Sequence, residues 1–540
     1  MRYFIIFVLS FISCITSNAQ SFKYEIIEGK NTTLADDLIK TNDGYLHFEA
    51  DPNKKVMLTP FANLNKIKFG ITINKLDEGM KEILSKDLFN GEKRLVPWLY
   101  RVFEFNNKTF LLYHDIVSEE QSGSLKLMEI NKQTAEVISE INLIDFSAKK
   151  ITFDTKKVIK NGSSTYRFHM SENRKKIMIT SEPIYEKDER KFMYAWVYDE
   201  DFKMISEKVI DFKTVYENIN IYSTIFDNSG NIFIAYREFY GLDRRGNILG
   251  KDGEKVMSDV QDDMKKLMIV QPAIKEQQIT SFNLVDHSVY NMGLVYSPTQ
   301  NKVFLLGTFC KAWDDNIIGV FHGSVDVASM KQTPVKLTNF SAELVKTISD
   351  DGFAKTKEKK YGLLRYFGAN YALRGNGSVD IVMRYIEEET KVSSMNQRIS
   401  TNYVGGDFLD AHLTNDNFTF TRIGRDINSP STNVYLLFST FSTGDNLMLF
   451  YNDNQNNIER AVSTIPKNGI AQNSEICVAT IDKSGNVTRQ RLLPELEGKS
   501  IGLLNNMFIL SKNSFLILVQ RLNSMNMSTK RTKFAKVVVE

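Results

Sequence analysis

Histidine and cysteine are scarce in this chain, with six and three among 540 residues. The histidines, His47, His114, His169, His287, His322 and His412, are scattered, and no H-x-H or H-E-x-x-H spacing occurs. A zinc site would have to be assembled from distant positions, so structural histidines are the expectation and no cofactor is assigned. A G-x-S-x-G elbow, a P-loop and a dinucleotide fingerprint are also missing, and with them the local signatures of serine hydrolases, P-loop NTPases and Rossmann enzymes. Charge of one sign is lacking too: 68 Lys and Arg stand against 65 Asp and Glu, without basic clusters. That balance argues against nucleic acid as a partner. Past the N-terminus no stretch reaches about 18 uninterrupted apolar residues, so no transmembrane segment is expected. No Pro/Gly/Ser linker or charge run divides the chain, which predicts one domain over residues 21–540 despite the length.

The first twenty residues differ from the rest. Arg2 is followed by an apolar core at residues 3–12 and by small residues before Gln20. This resembles a Sec signal peptide over residues 1–20, cleaved near Ala19 or Gln20, and its N-A-Q ending resembles exported bacterial proteins. The expected location is periplasmic or secreted. Cys14 raises a lipoprotein alternative, although Phe11-Ile12-Ser13 is a poor lipobox. Removing Arg2 lowers the formal net charge from +3 to +2.

What is present is a repeated hairpin. Residues 222–238 read Y-S-T-I-F-D-N-S-G-N-I-F-I-A-Y-R-E, two apolar strands joined by Asp227-Asn228-Ser229-Gly230. Asp, Asn, Ser and Gly make such turns because they tolerate positive φ or bond back to their own backbone. The same grammar recurs at residues 37–48, 98–114, 166–180, 291–309, 370–385, 433–451 and 506–519. Starts lie roughly 55 to 80 residues apart, the mark of a repeat architecture. A more polar hairpin follows each of the first seven, most clearly at residues 125–143, 193–210 and 476–493. Runs such as I-F-I-A-Y, V-F-L-L-G and F-L-I-L-V are continuously apolar, as in strands covered on both faces.

An apolar hairpin followed by an amphipathic one makes a four-stranded blade, and the chain resembles β-propellers on this pattern. The expected fold is all-β, a single-domain propeller of seven or eight blades, with eight preferred. The last unit lacks a strand: after its hairpin only residues 534–540 follow, and residues 22–28, F-K-Y-E-I-I-E, supply a fourth. Pairing of N- and C-terminal strands would close the ring and remove an exposed edge. Cys310 and Cys477 fall two blades apart, too far for a bridge that needs Cα atoms within about 7 Å, so buried thiols acting as small hydrophobes are expected. The repeated Asp-box of sialidase-like propellers is absent, Trp313-Asp314 is a lone W-D, and Gly405-Gly406 is an isolated pair. Asp227 and Asp482 read as turn formers.

Alternating strand direction puts both hairpin turns of a blade at one end. The long connections, at residues 239–263, 386–403 and 452–474, and a helix predicted from Ser341 to about Asp350, fall at the other. Long loops gathered on one side of a rigid scaffold are a usual place for function. Residues ending the second strands should face that side: His114 and Asp115; Tyr236, Arg237 and Glu238; Trp313 with Asp314 and Asp315; Arg384 and Tyr385; Tyr451 with Asp453. Aromatics there could stack on a ligand while guanidinium forks hold a carboxylate. The expected function is that of an exported, monomeric protein that binds a protein or glycan of the cell envelope on this face. The alternative is a carbohydrate-active enzyme, hydrolase or lyase, using acids around the central channel.

Overall fold

The computed structural model describes residues 22–28, 38–52, 68–89, 94–95, 100–117, 122–146, 166–185, 191–214, 216–242, 248–249, 265–274, 276–282, 284, 287–311, 316–350, 366–392, 399–430, 434–458, 460, 466, 469–470, 474–493, 500–511, 513–522 and 529–540. They form an all-β propeller of eight four-stranded antiparallel blades, some with short extra strands. Every predicted apolar hairpin is the first and second strand of a blade. Examples are Tyr100–Phe105 with Lys108–Val117 in blade 2, Asn218–Phe226 with Ile232–Phe239 in blade 4, and Phe438–Thr443 with Asn446–Asn454 in blade 7. Blade 8 contains Ser500–Ser511, Ser514–Leu522 and Thr529–Val539, and its fourth strand is the N-terminal Phe22–Glu28. Phe22 lies opposite Val539 and Glu28 opposite Lys533, and Lys23 forms an ion pair with Glu540.

Turn chemistry explains the hairpins. Asn106 and Asn107 both adopt positive φ, 51° and 60°, which matches a two-residue turn to the right-handed twist of its strands. In blade 4, Asp227 Oδ1 accepts from the backbone N–H groups of Ser229, Gly230 and Asn231 at 2.8–2.9 Å, and Gly230 takes φ 99°, where a side chain would be strained. Asp482 repeats this with Ser484 and Asn486. Both aspartates are turn formers.

The chain divides into two compact units, a larger one of residues 32–386 and 408–420 and a smaller one of residues 1–31, 387–407 and 421–540. In the larger unit consecutive blades pack apolar face to face. Leu46, Phe48 and Ile73 of blade 1 meet Leu111, Tyr113 and Met128 of blade 2, and Phe110, Leu112 and Leu127 of blade 2 meet Ile177, Ile179 and Trp196 of blade 3. This double cover is why the second strands are continuously apolar. The predicted helix is Ala342–Asp350, capped where Leu344 N–H donates to Ser341 Oγ at 3.1 Å.

One connection differs from expectation. Residues 386–403 are mostly strand, because the second strand of blade 6 runs Val379–Val392 and the third Ile399–Thr414. The run Glu387-Glu388-Glu389 therefore lies on a strand and not in a loop, and Glu388 is exposed.

Candidate functional site

Each blade has a hairpin end, holding its two turns, and a loop end, holding the connection from second to third strand and the crossover to the next blade. At the loop end of blade 4, Gly241–Leu242 pairs with Ile248–Leu249 inside the connection. At that of blade 7, a short helix Gln455–Ile458 is followed by Gly469–Ile470, which pairs in parallel with Ile427–Pro430 of the preceding crossover.

The residues predicted to open onto this end are mostly enclosed. Tyr236 and Tyr451 are fully buried and Tyr385 nearly so. Tyr236 packs edge-on against Phe212 at 5.0 Å, and burial raises its hydroxyl well above the usual phenol range. His114 is buried edge-on against Phe146, and burial pushes its imidazole down to about 3, so the ring is neutral. Asp115 is partly exposed and pairs with Lys126 Nζ at 2.7 Å. Glu238, fully buried, faces Lys266 Nζ at 2.7 Å; burial raises its carboxyl while the lysine opposes the rise. Arg237 and Arg384 are half-buried, and burial lowers Arg384. Trp313, Asp314 and Asp315 lie outside the described residues. The open aromatic platform expected from Tyr236, Tyr385 and Tyr451 is therefore corrected. These tyrosines are not strand-end residues: Tyr385 is followed by seven more residues of strand, Tyr236 belongs to the core between blades 3 and 4, and Tyr385 to that between blades 5 and 6.

The structure instead gathers a charged cluster at the loop end of the smaller unit. Asp407, Arg425 and Asp453 are buried together with Tyr451, Asn452, Asn457 and Cys477. Arg422 Nε donates to Asp407 Oδ2 at 2.6 Å, and the Arg425 backbone N–H donates to Oδ1 at 2.9 Å. Asp453 Oδ1 accepts from Asn454 N–H at 2.7 Å and Asn457 Nδ2 at 3.0 Å. The other guanidinium groups hold loops. Arg425 Nη1 donates to Leu436 O at 3.1 Å, and Arg489 donates to Gly424 O at 3.1 Å and Arg460 O at 2.7 Å. Asn452 donates to Tyr435 O and Gly502 O at 3.0 and 2.9 Å and accepts from Gly502 N–H at 2.8 Å.

Burial dominates the electrostatics here, because a dry site penalises the charged form of an acid. It pushes Asp407 up to about 8, against the Arg425 N–H, with the Asp453 charge adding to the rise. It pushes Asp453 up to about 6, against Asn457 and Arg425. The Cys477 thiol is raised too, and Arg422 is brought down to about 10. Of this cluster, sequence reasoning named Tyr451 and Asp453 and missed Asp407, Arg422, Arg425, Asn452 and Arg489. A signal existed in Gly405-Gly406-Asp407: a Cβ at Gly405 would lie 2.9 Å from Leu436 Cδ2 and 3.2 Å from Ile427 Cγ2, so the glycine makes room for apolar side chains that pack beside the cluster.

A second cluster lies at the hairpin end of blade 6, in the larger unit. Arg374 grips Asp380 through Nε and Nη2 at 2.8 and 2.7 Å, His412 Nδ1 lies 2.8 Å from Asp380 Oδ1, and Asp410 Oδ2 is 3.6 Å from Arg374 Nη2. Burial and the Asp380 charge raise Asp410 well above the carboxylate range. Among the described residues, no group of three or more His, Cys, Asp or Glu could hold a metal ion, and no helix is long and apolar enough to cross a membrane.

No family model matches the chain, and no curated protein does. Among solved structures it is similar to polysaccharide lyase Uly1, at 11% identity over 83% of this chain and 91% of that one, with a TM-score of 0.37. It is similar to the WD40 domain of SCAP from fission yeast, at 9% identity over 96% and 98%, TM-score 0.35. It is also similar to the β-propeller domain of the Trilobed protease from Pyrococcus furiosus, at 9% identity over 85% and 97%, TM-score 0.34.

Proposed function

We propose that this chain is an exported propeller that binds a protein or glycan of the cell envelope through the loop ends of its blades. One observation carries the reading: turns at the hairpin ends are short, as at Asn106-Asn107, whereas the loop ends carry connections with secondary structure of their own, such as 240–264 and 455–473. A rigid scaffold with elaborated connections at one end suits recognition. The loop-end cluster supports this, since Arg425, Arg489 and Asn452 tie crossovers and insertion to the blades. Asp407 accepts from the chain's own donors at both oxygens and Asp453 at Oδ1, and both are buried, which suits an internal frame better than an acid–base pair open to a sugar. Export rests on the signal-like residues 1–20, and periplasmic or secreted placement follows from it.

The test is a thermal-shift panel on residues 21–540 against oligosaccharides and peptidoglycan fragments. A ligand at 100 times its Kd adds about 2.7 kcal/mol, a readable rise in Tm. A glycan that raises the Tm of the parent, and not of a variant with residues 243–247 and 250–264 replaced by a short turn, supports the reading. A flat panel removes the glycan arm. The protein arm fails if that variant still gives the same envelope cross-links as the parent.

A further inference from the structure

Among the described residues, eleven large apolar side chains are exposed, and eight of them sit on the fourth strands of blades 1, 2 and 3. Glu82–Asp87 carries two, including Ile83; Val137–Asp145 carries three, including Ile138 and Ile141; Met204–Asp211 carries three, including Ile205 and Val209; they are 39–59% exposed. Each strand is the last in its sheet. The three blades pack consecutively through their cores, so these edge strands follow one another from blade to blade, and Lys86 of blade 1 reaches Glu136, just before the edge strand of blade 2, at 3.7 Å. The fourth strands of blades 4, 5 and 7, Gln278–Ser281, Lys336–Asn339 and Val487–Arg491, expose no large apolar residue. Apolar exposure concentrated on one patch marks an interaction surface.

Charge chooses the occupant. The central strand, V-I-S-E-I-N-L-I-D, has no lysine, while each flanking strand carries both signs close together, Lys86 with Asp87 and Glu207 with Lys208. We propose that this patch is the interface with a second copy of the chain, related by a two-fold axis running along Val137–Asp145. Such an axis sets the blade 1 strand of each copy against the blade 3 strand of the other, at matched height because all fourth strands start from the hairpin end. Lys86 then meets Glu207 and Lys208 meets Asp87, each twice, around an apolar centre where Ile138 and Ile141 face their symmetry mates. An isologous patch with an apolar centre and charged rim is what a two-fold homodimer needs. This dimer departs from the monomer expected from the sequence.

Sedimentation velocity on residues 21–540 tests it. The parent should show a concentration-dependent dimer. Ile138→Glu should weaken it by about 100-fold with Tm unchanged, as buried interface anchors do. Lys86→Glu should weaken it by about 10-fold, and adding Glu207→Lys to the same chain should restore it, about the effect of the two exposed ion pairs that the two-fold axis makes of one. A parent that stays monomeric at its highest soluble concentration overturns the proposal and leaves the patch to a different protein. So does a dimer indifferent to Ile138→Glu, or a double charge swap no better than the single one.

Discussion

At the hairpin end of blade 6, Arg374 holds Asp380 with two N–H groups from six residues away, and the pair staples the turn that separates them. At the loop end of the smaller unit, Arg489 reaches Gly424 O across 65 residues and Arg460 O across 29, while Asn452 reaches Gly502 across 50. Both regions bury guanidinium and carboxylate groups together. The first is closed on itself, charge against charge, over a short loop whose closure loses little entropy. The second directs much of its hydrogen bonding to backbone carbonyls of crossovers, and so turns burial of charge into fixed positions for connecting segments. A buried ion pair is weak support for stability but strong support for a defined geometry, and the two clusters define different things: a turn in one case, a set of loops in the other.

Four single changes and one deletion would break or sharpen this contrast. Deleting residues 21–29 removes the strand paired along Thr529–Val539 and should have the largest effect, a loss of cooperative melting. Hydrogen exchange should rise first in Ser500–Ser511 and Ser514–Leu522, within the smaller unit; equal protection before and after would mean that the strand does not close the ring. Arg374→Met leaves Asp380 and Asp410 buried without their cation and should cost about 3–5 kcal/mol in denaturant unfolding. The loop-end cluster has a different signature, in pH. Asp453 holds its proton more tightly folded than unfolded, so between its ordinary value near 4 and the raised value of about 6 the folded state carries the extra proton and stability falls as pH rises. At 1.36 kcal/mol per unit this is about 3 kcal/mol, and Asp453→Asn should remove this part of the slope over pH 4–6, leaving the parts due to Asp407 and Asp410, whose carboxyls burial also raises. Asn452→Ala strands two carbonyls and one N–H and should cost about 2 kcal/mol, with faster exchange at Gly502 and no effect near Arg374. Asp410→Asn should have the smallest effect, under about 1 kcal/mol, because an amide can still donate where the protonated acid does. A cost like that of Arg374→Met would mean that Asp410 is ionised and the cluster is not closed as described.

The blades were legible because their determinants are local. Asp227 sets its own turn through N–H groups two to four residues on, and Asn106-Asn107 does so by taking positive φ. The strand Phe22–Glu28 was legible as the complement of an unfinished blade. The candidate site was not. Tyr385 looked like a strand end because Glu387-Glu388-Glu389 follows it, yet the strand continues to Val392. Asp407 lies in a strand with no motif around it, and only Gly405-Gly406 hinted that something large comes close.

By itself the sequence determined the hairpin repeat, a count of seven or eight blades and the partner for the last of them. Those depend on turn residues and on runs of apolar side chains within a few positions of one another. Only the tertiary structure decided which polar groups are buried together and which apolar ones stay outside. Asp407, Arg425, Asp453 and Arg489 meet because two blades and a crossover converge, and Ile83, Ile138 and Ile205 stay exposed on the edge strands of three consecutive blades. Proximity of that kind is created by packing between strands, and no spacing along the chain encodes it.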